Sequence, residues 1–389
     1  MKKALSLLLC AVLAVSLVAG FSGCSKQETT GSDAQQSGTA DPIYVAIAVP
    51  MTGNQALYGE YFQTSAQIKV DEVNAAGGIN GRKIVLDVFD DRGDIAEASN
   101  LAQKICDDEK YVAVIGGFAS TSVLASAPIY GENGMVQMVP AASHMDITKV
   151  SQYTWLQASV ADEMRNFSNM VMDGIKAKKV AYIYLNNDSG LSGLELLKSQ
   201  VANHAGVELV DAESFNEGQV SDFTPLLSKL KQAAPETVMI SAQYKDVANI
   251  LKQAKQMDFG DIKFANLSTC YSDEFLTLAG DAAEGFYVST LYFAENPDEG
   301  VQKFSKLFSE ASDGKTANQF ASQAYECMAM LVSAFEKGAD TRETVYDELM
   351  KITEWKGLTC TSKYTDRVPE KNGVPIMVKD GKWALAEYK

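Results

Sequence analysis

Histidine and cysteine are scarce in this 389-residue sequence, and their scarcity narrows the functions that it can serve. Only two histidines occur, His144 and His204, so a histidine-based catalytic triad, an H-E-x-x-H motif and a histidine-rich metal site are nearly excluded. None of the six cysteines belongs to a C-x-x-C pair, which argues against a zinc site. We therefore expect no metal ion and no other cofactor.

Basic side chains are outnumbered by acidic ones. The sequence has 34 Lys and Arg residues against 50 Asp and Glu residues, and its formal net charge is -16. Nucleic acid is not an expected partner, because binding to phosphates requires clustered positive charge. We interpret the acidity as an aid to solubility rather than as the mark of a cation site.

Long apolar runs occur only at the N-terminus. Residues 1–23 combine two lysines, an apolar run and a stretch of small residues, which is the pattern of an export signal. The small residues directly before Cys24 resemble the lipobox of bacterial lipoproteins, in which this cysteine becomes lipid-modified. An ordinary secretory signal with a chance cysteine is the alternative. Residues 24–42 lack large apolar side chains and predict a flexible tether. Beyond them no run approaches the roughly 18 apolar residues of a membrane span, so a lipid anchor is the only membrane attachment that we expect.

Eight short apolar runs alternate with helical patterns along most of the remaining chain. The predicted strands are residues 43–49, 84–89, 112–115 and 135–139 in the first half, and 179–185, 207–214, 237–240 and 263–267 in the second. This alternation predicts an α/β fold with parallel central sheets and helices on both faces. Two sets of four strands in a chain of this length suit two Rossmann-like lobes better than one large domain.

A further group of elements follows the eighth predicted strand. Residues 285–292 predict a strand, residues 297–313 and 316–337 predict helices, and residues 357–388 predict short strands joined by turns. If the two lobes share these elements, the chain crosses between them several times. The crossings would then form a hinge beside a cleft.

Two loops at predicted strand ends have the composition of an anion site. In open α/β sheets, ligands bind at the carboxyl ends of the strands. A helix N-terminus with a capping serine or threonine suits a carboxylate or phosphate. Each loop taken singly is more simply an ordinary turn with a capping serine, so the anion interpretation depends on the two loops converging. The residues are Ser120 and Thr121 after the third strand, and Ala141, Ala142 and Ser143 after the fourth.

Tyrosines in the loops at strand ends are candidates for ligand contact. Tyr58 follows the first predicted strand and Tyr244 follows the seventh. A tyrosine offers a flat apolar face together with a hydroxyl group. Packing within a lobe is an equally good interpretation of both.

Several motifs in this order resemble the type I periplasmic-binding-protein family, and within it the leucine/isoleucine/valine-binding branch that supplies ABC importers. The similarity extends from residue 43 to the C-terminus. Its strongest parts are P-M-T-G at residues 50–53, L-Y-G at 57–59, V-N-A-A-G-G-I-N-G at 73–81, D-D at 90–91, A-P-I-Y at 127–130 and P-A-A-S at 140–143.

The resemblance implies two lobes, joined by a three-crossover hinge, that close around a ligand. The crossings are expected near residues 155–162, 290–297 and 353–363. The N-terminal lobe would then comprise residues 43–157 and 295–354, and the C-terminal lobe residues 158–294 and 355–389. The expected protein is a lipoprotein anchored on the extracytoplasmic side of the bacterial cell envelope. It would deliver a small amino acid, branched-chain or related, to an ABC permease and its ATPase.

The resemblance also implies roles for single residues. The ligand carboxylate would be held by Ser120 with Thr121 beside it, and by Ala141 and Ser143, while Tyr58 and Tyr244 would lie near the ligand. Two positions depart from the family pattern. Ser268 or a neighbouring residue stands where the resemblance implies a glutamate for the ammonium group, and Ser189 stands where it implies a tyrosine. Asp188 and Asp273 are candidates for the missing charge, although each is more often a turn or cap residue.

Two other functions compete with uptake. An enzyme on the same scaffold would need an activated nucleophile, but no G-x-S-x-G or H-E-x-x-H motif occurs, so we do not expect catalysis. A ligand-sensing receptor module for a small carboxylate or amide remains an alternative, because one fold serves several functions.

Overall fold

The first set of predicted strands forms one parallel sheet in the structure, a computed structural model that describes residues 41–388. The strand order is β2-β1-β3-β4-β5, and all neighbours run parallel. The strands are β1 (Ile43–Val49), β2 (Ile84–Asp90), β3 (Tyr111–Ile115), β4 (Val136–Val139) and β5 (Thr154–Leu156). Residues of β3 and β4 are buried throughout, as expected for strands covered on both faces. We call the half built on this sheet lobe 1.

The helices that follow these strands cover lobe 1. They are α1 (Ala56–Ala75), α2 (Ile95–Cys106), α3 (Ser120–Glu132) and α4 (Ile147–Val150). In α2, Ala98, Leu101, Ala102 and Ile105 are buried on one face, because apolar residues three and four positions apart share a side of a helix.

The second set of predicted strands forms a larger sheet, which we call the core of lobe 2. Its strand order is β15-β14-β10-β9-β8-β6-β7, and only β14 and β15 break the parallel arrangement. The strands are β6 (Lys179–Leu185), β7 (Glu208–Phe215), β8 (Thr237–Ser241), β9 (Lys263–Leu267), β10 (Tyr287–Thr290), β14 (Val374–Lys379) and β15 (Lys382–Leu385). The helices are α5 (Val160–Asn169), α6 (Asp188–Asn203), α7 (Thr224–Gln232), α8 (Tyr244–Gln256) and α9 (Asp273–Ala279).

The predicted α/β fold with parallel central sheets is confirmed, and all eight predicted strands form within one residue of their expected ends. The chain between β10 and β14 returns to lobe 1, where α11 packs along α1. It also forms a separate antiparallel sheet of three short strands, β11-β12-β13. The elements are α10 (Glu299–Ala311), α11 (Gln319–Glu336), α12 (Arg342–Leu349), β11 (Glu354–Lys356), β12 (Thr361–Thr365) and β13 (Val368–Glu370).

The chain passes from the first sheet to lobe 2 after β5, back to lobe 1 after β10, and again to lobe 2 between β13 and β14. Helix α5 contacts β9 and β10, whereas α10 contacts α1, which marks the first two passages. The three-stranded sheet precedes the third passage and lies against lobe 1. Its strand β13 packs against β5, and Leu156 N donates to Arg367 O at 3.0 Å. The lobe boundaries given above remain predictions. The predicted signal peptide, Cys24 and the predicted tether up to residue 40 lie outside the described residues.

A buried ion pair lies where these passages meet. Lys371 Nζ lies 3.0 Å from Glu326 Oε2, and their side chains are 8% and 6% exposed. Lys371 N donates to Asp162 Oδ2 at 2.9 Å, which ties the third passage to the start of α5. Gln157, in the first passage, accepts a hydrogen bond from Tyr364 Oη at 3.0 Å. These polar contacts join segments that are far apart in sequence.

Candidate functional site

A cavity of about 250 Å³ lies at the carboxyl ends of strands from both sheets. This is the position at which α/β sheets bind ligands. Lobe 1 contributes the residues at the start of α3 and the loop after β4. Lobe 2 contributes the loops after β6, β7, β8 and β9. Of the residues proposed from sequence, six line the cavity: Ser120, Thr121, Ala141, Ala142, Ser143 and Ser268.

The first wall is the N-terminus of α3. The helix begins at Ser120, and its N-cap residue is Ala119, whose side chain makes no capping hydrogen bond. The predicted capping role of Ser120 or Thr121 is therefore wrong, because both residues already belong to the first helical turn. This leaves N–H groups of that turn without a side-chain cap at the cavity wall. Gly116 lets the chain after β3 pass close to the backbone of β1, because a Cβ at this position would lie 2.1 Å from Ala48 O.

The second wall is the loop after β4. Ser143 is 7% exposed, and its carbonyl accepts a hydrogen bond from Val160 N at 3.0 Å, which attaches the loop to the first turn of α5. Its hydroxyl donates to Glu163 Oε2 at 2.8 Å. The two loops expected to converge on an anion therefore do line one cavity.

The wall from lobe 2 consists mainly of small polar residues. Ser268 is buried in a short 3-10 turn directly after β9, and the neighbouring Thr269 Oγ1 donates to Ala242 O at 2.6 Å. Asn187 and Ser189 line the cavity from the start of α6, where Asn187 Oδ1 accepts from Gly190 N at 2.9 Å.

Tyr58 and Tyr244 lie beside the cavity lining rather than within it. The Tyr58 ring stacks on Phe118 with centroids 4.3 Å apart, and it meets Tyr244 edge-on at 6.2 Å. Phe118 and Phe320 form the aromatic part of the lining. The Tyr58 hydroxyl donates to Thr269 O at 3.2 Å, a contact between the lobes. Burial raises the pKa of Tyr58 well above its usual value. Contact of either tyrosine with a ligand remains a prediction.

The sequence reasoning missed two acidic residues that line the cavity, Glu163 and Glu217. Desolvation raises the pKa of Glu163 to about 7, although hydrogen bonds from Ser143 and Gln319 oppose the shift. Desolvation also raises the pKa of Glu217, whose Oε2 accepts from Gln55 Nε2 at 3.3 Å across the lobes. The one available signal was that Glu163 directly follows the first predicted crossing.

The aspartates considered as substitutes for the missing charge lie elsewhere. Asp273 accepts hydrogen bonds from Thr316 N at 2.8 Å and from Thr316 Oγ1 at 3.0 Å. Asp188 lines a separate surface depression together with His144. Neither aspartate lines the 250 Å³ cavity.

Within residues 41–388, no group of three or more His, Cys, Asp and Glu side chains is arranged to hold a metal ion. Within the same span, no helix combines the length and apolar character needed to cross a membrane. Cys106, Cys270, Cys327 and Cys360, whose pairing the sequence left open, are all free thiols.

Comparison with known proteins agrees with this architecture. The chain is 26% identical over 342 residues to the leucine-, isoleucine-, valine-, threonine- and alanine-binding protein of Pseudomonas aeruginosa, covering 87% of this chain and 90% of that protein.

Two solved structures share the fold. One is the substrate-binding protein LivJ of a branched-chain amino acid transporter from Streptococcus pneumoniae, in complex with isoleucine. It has a TM-score of 0.81 and 24% identity, covering 89% of this chain and 99% of that one. The other is a solute-binding protein of an ABC transporter from Rhodopseudomonas palustris, in complex with 3,4-dihydroxybenzoic acid. It has a TM-score of 0.79 and 23% identity, covering 90% and 96%. At these identities the likeness shows the fold alone.

The family assignment comes from a match along most of the chain. Residues 42–381 match the model of the periplasmic binding protein family. This range contains the five-stranded sheet, the small sheet, all of the seven-stranded sheet except β15, and every residue that lines the cavity. The chain therefore belongs to the periplasmic binding protein family, and its fold is that of the type I members.

Proposed function

We propose that this protein is an extracytoplasmic solute-binding lipoprotein that captures a small amino acid between its lobes and delivers it to an ABC importer. The observation that carries the proposal is the convergence of the α3 N-terminus and the residue 141–143 loop on one cavity at the strand ends of both sheets. The name of the Pseudomonas aeruginosa relative supports leucine, isoleucine, valine, threonine and alanine as the first ligands to test.

The carboxylate of the ligand would bind to the lobe 1 walls. Backbone N–H groups at the start of α3 and the positive end of its dipole favour a negative charge. The hydroxyl of Ser120 would add a charge-assisted hydrogen bond, which is stronger than a neutral one. The Ser143 hydroxyl has a single proton, so it would bind the ligand carboxylate by exchanging its hydrogen bond to Glu163 for one to the ligand. This arrangement needs no basic side chain.

Closure of the lobes would commit the ligand to transport. Tyr58 and Thr269 make one contact between the lobes, and Gln55 and Glu217 make another. A ligand shifts an open–closed equilibrium only through its differential affinity for the closed state. Ligand contacts with both lobes would provide that difference, and the permease would recognise the closed form.

Attachment to the cell envelope is the remaining part of the proposal. It rests on the export signal and on Cys24, which would carry the lipid. A lipid anchor would keep the protein beside its permease and ATPase after a ligand is captured. The alternative is a ligand-sensing receptor module for a small carboxylate or amide, which the dihydroxybenzoate complex of a fold relative and the serine at position 268 favour.

A ligand screen tests the proposal. The protein from residue 25 onward retains all the described residues, 41–388, which belong to one compact unit. Its unfolding temperature would be measured with each of the twenty amino acids, with small amides and with benzoates. A ligand in excess stabilises the native state by RT ln(1 + [L]/Kd), so we expect a small apolar amino acid to give the largest increase. Stabilisation by benzoates or amides alone would refute amino acid binding. Unimpaired amino acid uptake in cells that lack the gene would favour the receptor function.

A further inference from the structure

Glu163 is an acidic group at the cavity that the carboxylate site does not use. It lies on the first turn of α5 and lines the cavity beside the residue 141–143 loop. Its Oε2 accepts from Ser143 Oγ at 2.8 Å, and its Oε1 accepts from Gln319 Nε2 at 3.2 Å. Both donors are neutral, so they orient the carboxylate without neutralising its charge.

The cavity supplies no cation to pair with this carboxylate. Among the described residues that line it there is no lysine, arginine or histidine, and Glu217 adds a second acid. Withdrawing a carboxylate from water is costly unless a positive group compensates. A ligand with a cationic nitrogen would compensate it, whereas a purely anionic ligand would add another negative charge to the same space.

The position of Glu163 matches the geometry of an α-amino acid. The ammonium and carboxylate groups of such a ligand are attached to one carbon, so the protein groups that bind them must be neighbours. Ser143, from the residue 141–143 loop, is hydrogen-bonded directly to Glu163. Glu217 instead accepts hydrogen bonds from Gln55. Among the described residues, it has no hydrogen bond to the start of α3 or to the residue 141–143 loop.

We propose that Glu163 receives the ammonium group of the bound ligand, and that the cavity therefore selects zwitterionic α-amino acids over small carboxylates that lack an amine. The inference rests on the proposed amino acid-binding function and deepens it. It assigns the negative charge for the ammonium group to α5, since Ser268 on the opposite wall of the cavity is neutral.

Gln319 is the positioning residue for this carboxylate. While its Nε2 donates to Glu163, its Oε1 accepts from Leu291 N at 2.8 Å and from Thr290 Oγ1 at 3.4 Å. Thr290 and Leu291 belong to the passage of the chain that leaves β10 for lobe 1. Gln319 therefore links the Glu163 carboxylate to the segment that leads from β10 to lobe 1.

Paired ligands that differ only in the amine provide the test. Calorimetry would compare L-leucine with 4-methylpentanoate, L-valine with 3-methylbutanoate and L-alanine with propanoate. We expect the wild-type protein to bind the preferred amino acid at least tenfold more tightly than its partner without the amine. In Glu163→Gln, affinity for the amino acid should fall about 10- to 100-fold, the usual effect of losing a hydrogen bond to a charged group. Affinity for the carboxylate partner should stay the same or rise, because a negative charge beside the anionic ligand is removed.

Three controls make the result specific. Glu217→Gln removes the other cavity acid and weakens its contact with Gln55 between the lobes, so it should weaken both ligands of a pair alike and preserve the preference for the amine. Glu163→Asp retains the charge on a shorter side chain and should keep part of the preference. The unfolding temperature of each variant without ligand verifies the fold.

If Glu163→Gln does not fold, proton release by the wild type on binding L-leucine at pH 6, measured in two buffers, still tests the pairing with an ammonium group.

The outcomes separate the inference from the proposed function. An unchanged amine preference in Glu163→Gln, or wild-type binding without proton release, overturns the role of Glu163 and leaves amino acid binding intact. Equal or tighter wild-type binding of the carboxylate partners overturns the selection of amino acids. A wild-type protein that binds none of these probes overturns the proposed function together with the inference.

Discussion

Replacing Lys371 by methionine would test how the hinge is stabilised. Its ammonium group lies 3.0 Å from Glu326 Oε2, and both side chains are more than nine-tenths buried. Methionine fills much of the same volume but removes the positive charge. Glu326 would keep its hydrogen bond from Leu358 N at 2.9 Å, yet its charge would be buried without a cation.

Breaking a buried ion pair in this way costs about 3–5 kcal/mol, because the remaining ion is uncompensated in a poorly solvated site. We therefore expect Lys371→Met to lower the free energy of unfolding by about 3–5 kcal/mol, measured by urea denaturation. Combining it with Glu326→Gln removes the second charge and keeps an acceptor for Leu358 N. The double variant should therefore recover most of the loss.

Lys351 provides a matched control on the surface. Its side chain is 64% exposed and is paired with Glu348 three residues earlier. Exposed pairs contribute about 0–1 kcal/mol, so Lys351→Met should have little effect. Two results would refute the argument that the buried pair stabilises the hinge. One is a loss below about 1 kcal/mol in Lys371→Met. The other is a double variant whose loss of stability equals the sum of the losses in the two single variants.

Three further predictions concern the cavity. Ser120→Ala should weaken amino acid binding by about 1–3 kcal/mol, because a hydrogen bond to the ligand carboxylate is lost; unchanged affinity in calorimetry would contradict that role. Desolvation raises the pKa of Glu163 to about 7 with a smaller contribution from Asp162, so the ligand-free carboxyl is increasingly protonated below pH 7. Amino acid affinity should then fall from pH 7 to pH 5, because each binding event must release a proton. Glu163→Gln should flatten this pH profile. An equally steep profile in Glu163→Gln would point to Glu217 or another group. Tyr58→Phe keeps the ring stacking on Phe118 but loses the hydroxyl contact with Thr269 O. The affinity for the amino acid should therefore fall by about 0.5–1.5 kcal/mol without loss of stability. An unchanged dissociation constant would argue against a role of Tyr58 in closure.

Local sequence patterns predicted the strands and many of the helices well. Residues 43–49 and 263–267 form strands with the predicted bounds, because a continuous apolar run between turn residues has few alternatives to a buried strand. The short strand β5 and helix α12 were not predicted. Strand β5 spans only three residues and gives no periodicity, and α12 is an eight-residue helix with only two buried side chains.

The separate sheet β11-β12-β13 was also beyond local patterns. Its strands are three to five residues long, and the tail was predicted only as short strands with turns. A strand pattern indicates which residues are extended but does not identify the sheet that they join. Here the small sheet packs against lobe 1 through the contact of β13 with β5, which are far apart in sequence.

The sequence by itself predicted the two α/β lobes and the two loops that line the cavity, because each depends on residues close together in the chain, while the export signal stays a prediction. Only the tertiary structure decided which charged groups surround that cavity. Glu163 meets a serine 20 positions away and a glutamine 156 positions away, and Asp188 and Asp273 turn out to lie elsewhere. Contacts over such separations follow from how the lobes and hinge segments pack, and no local pattern of side chains records them.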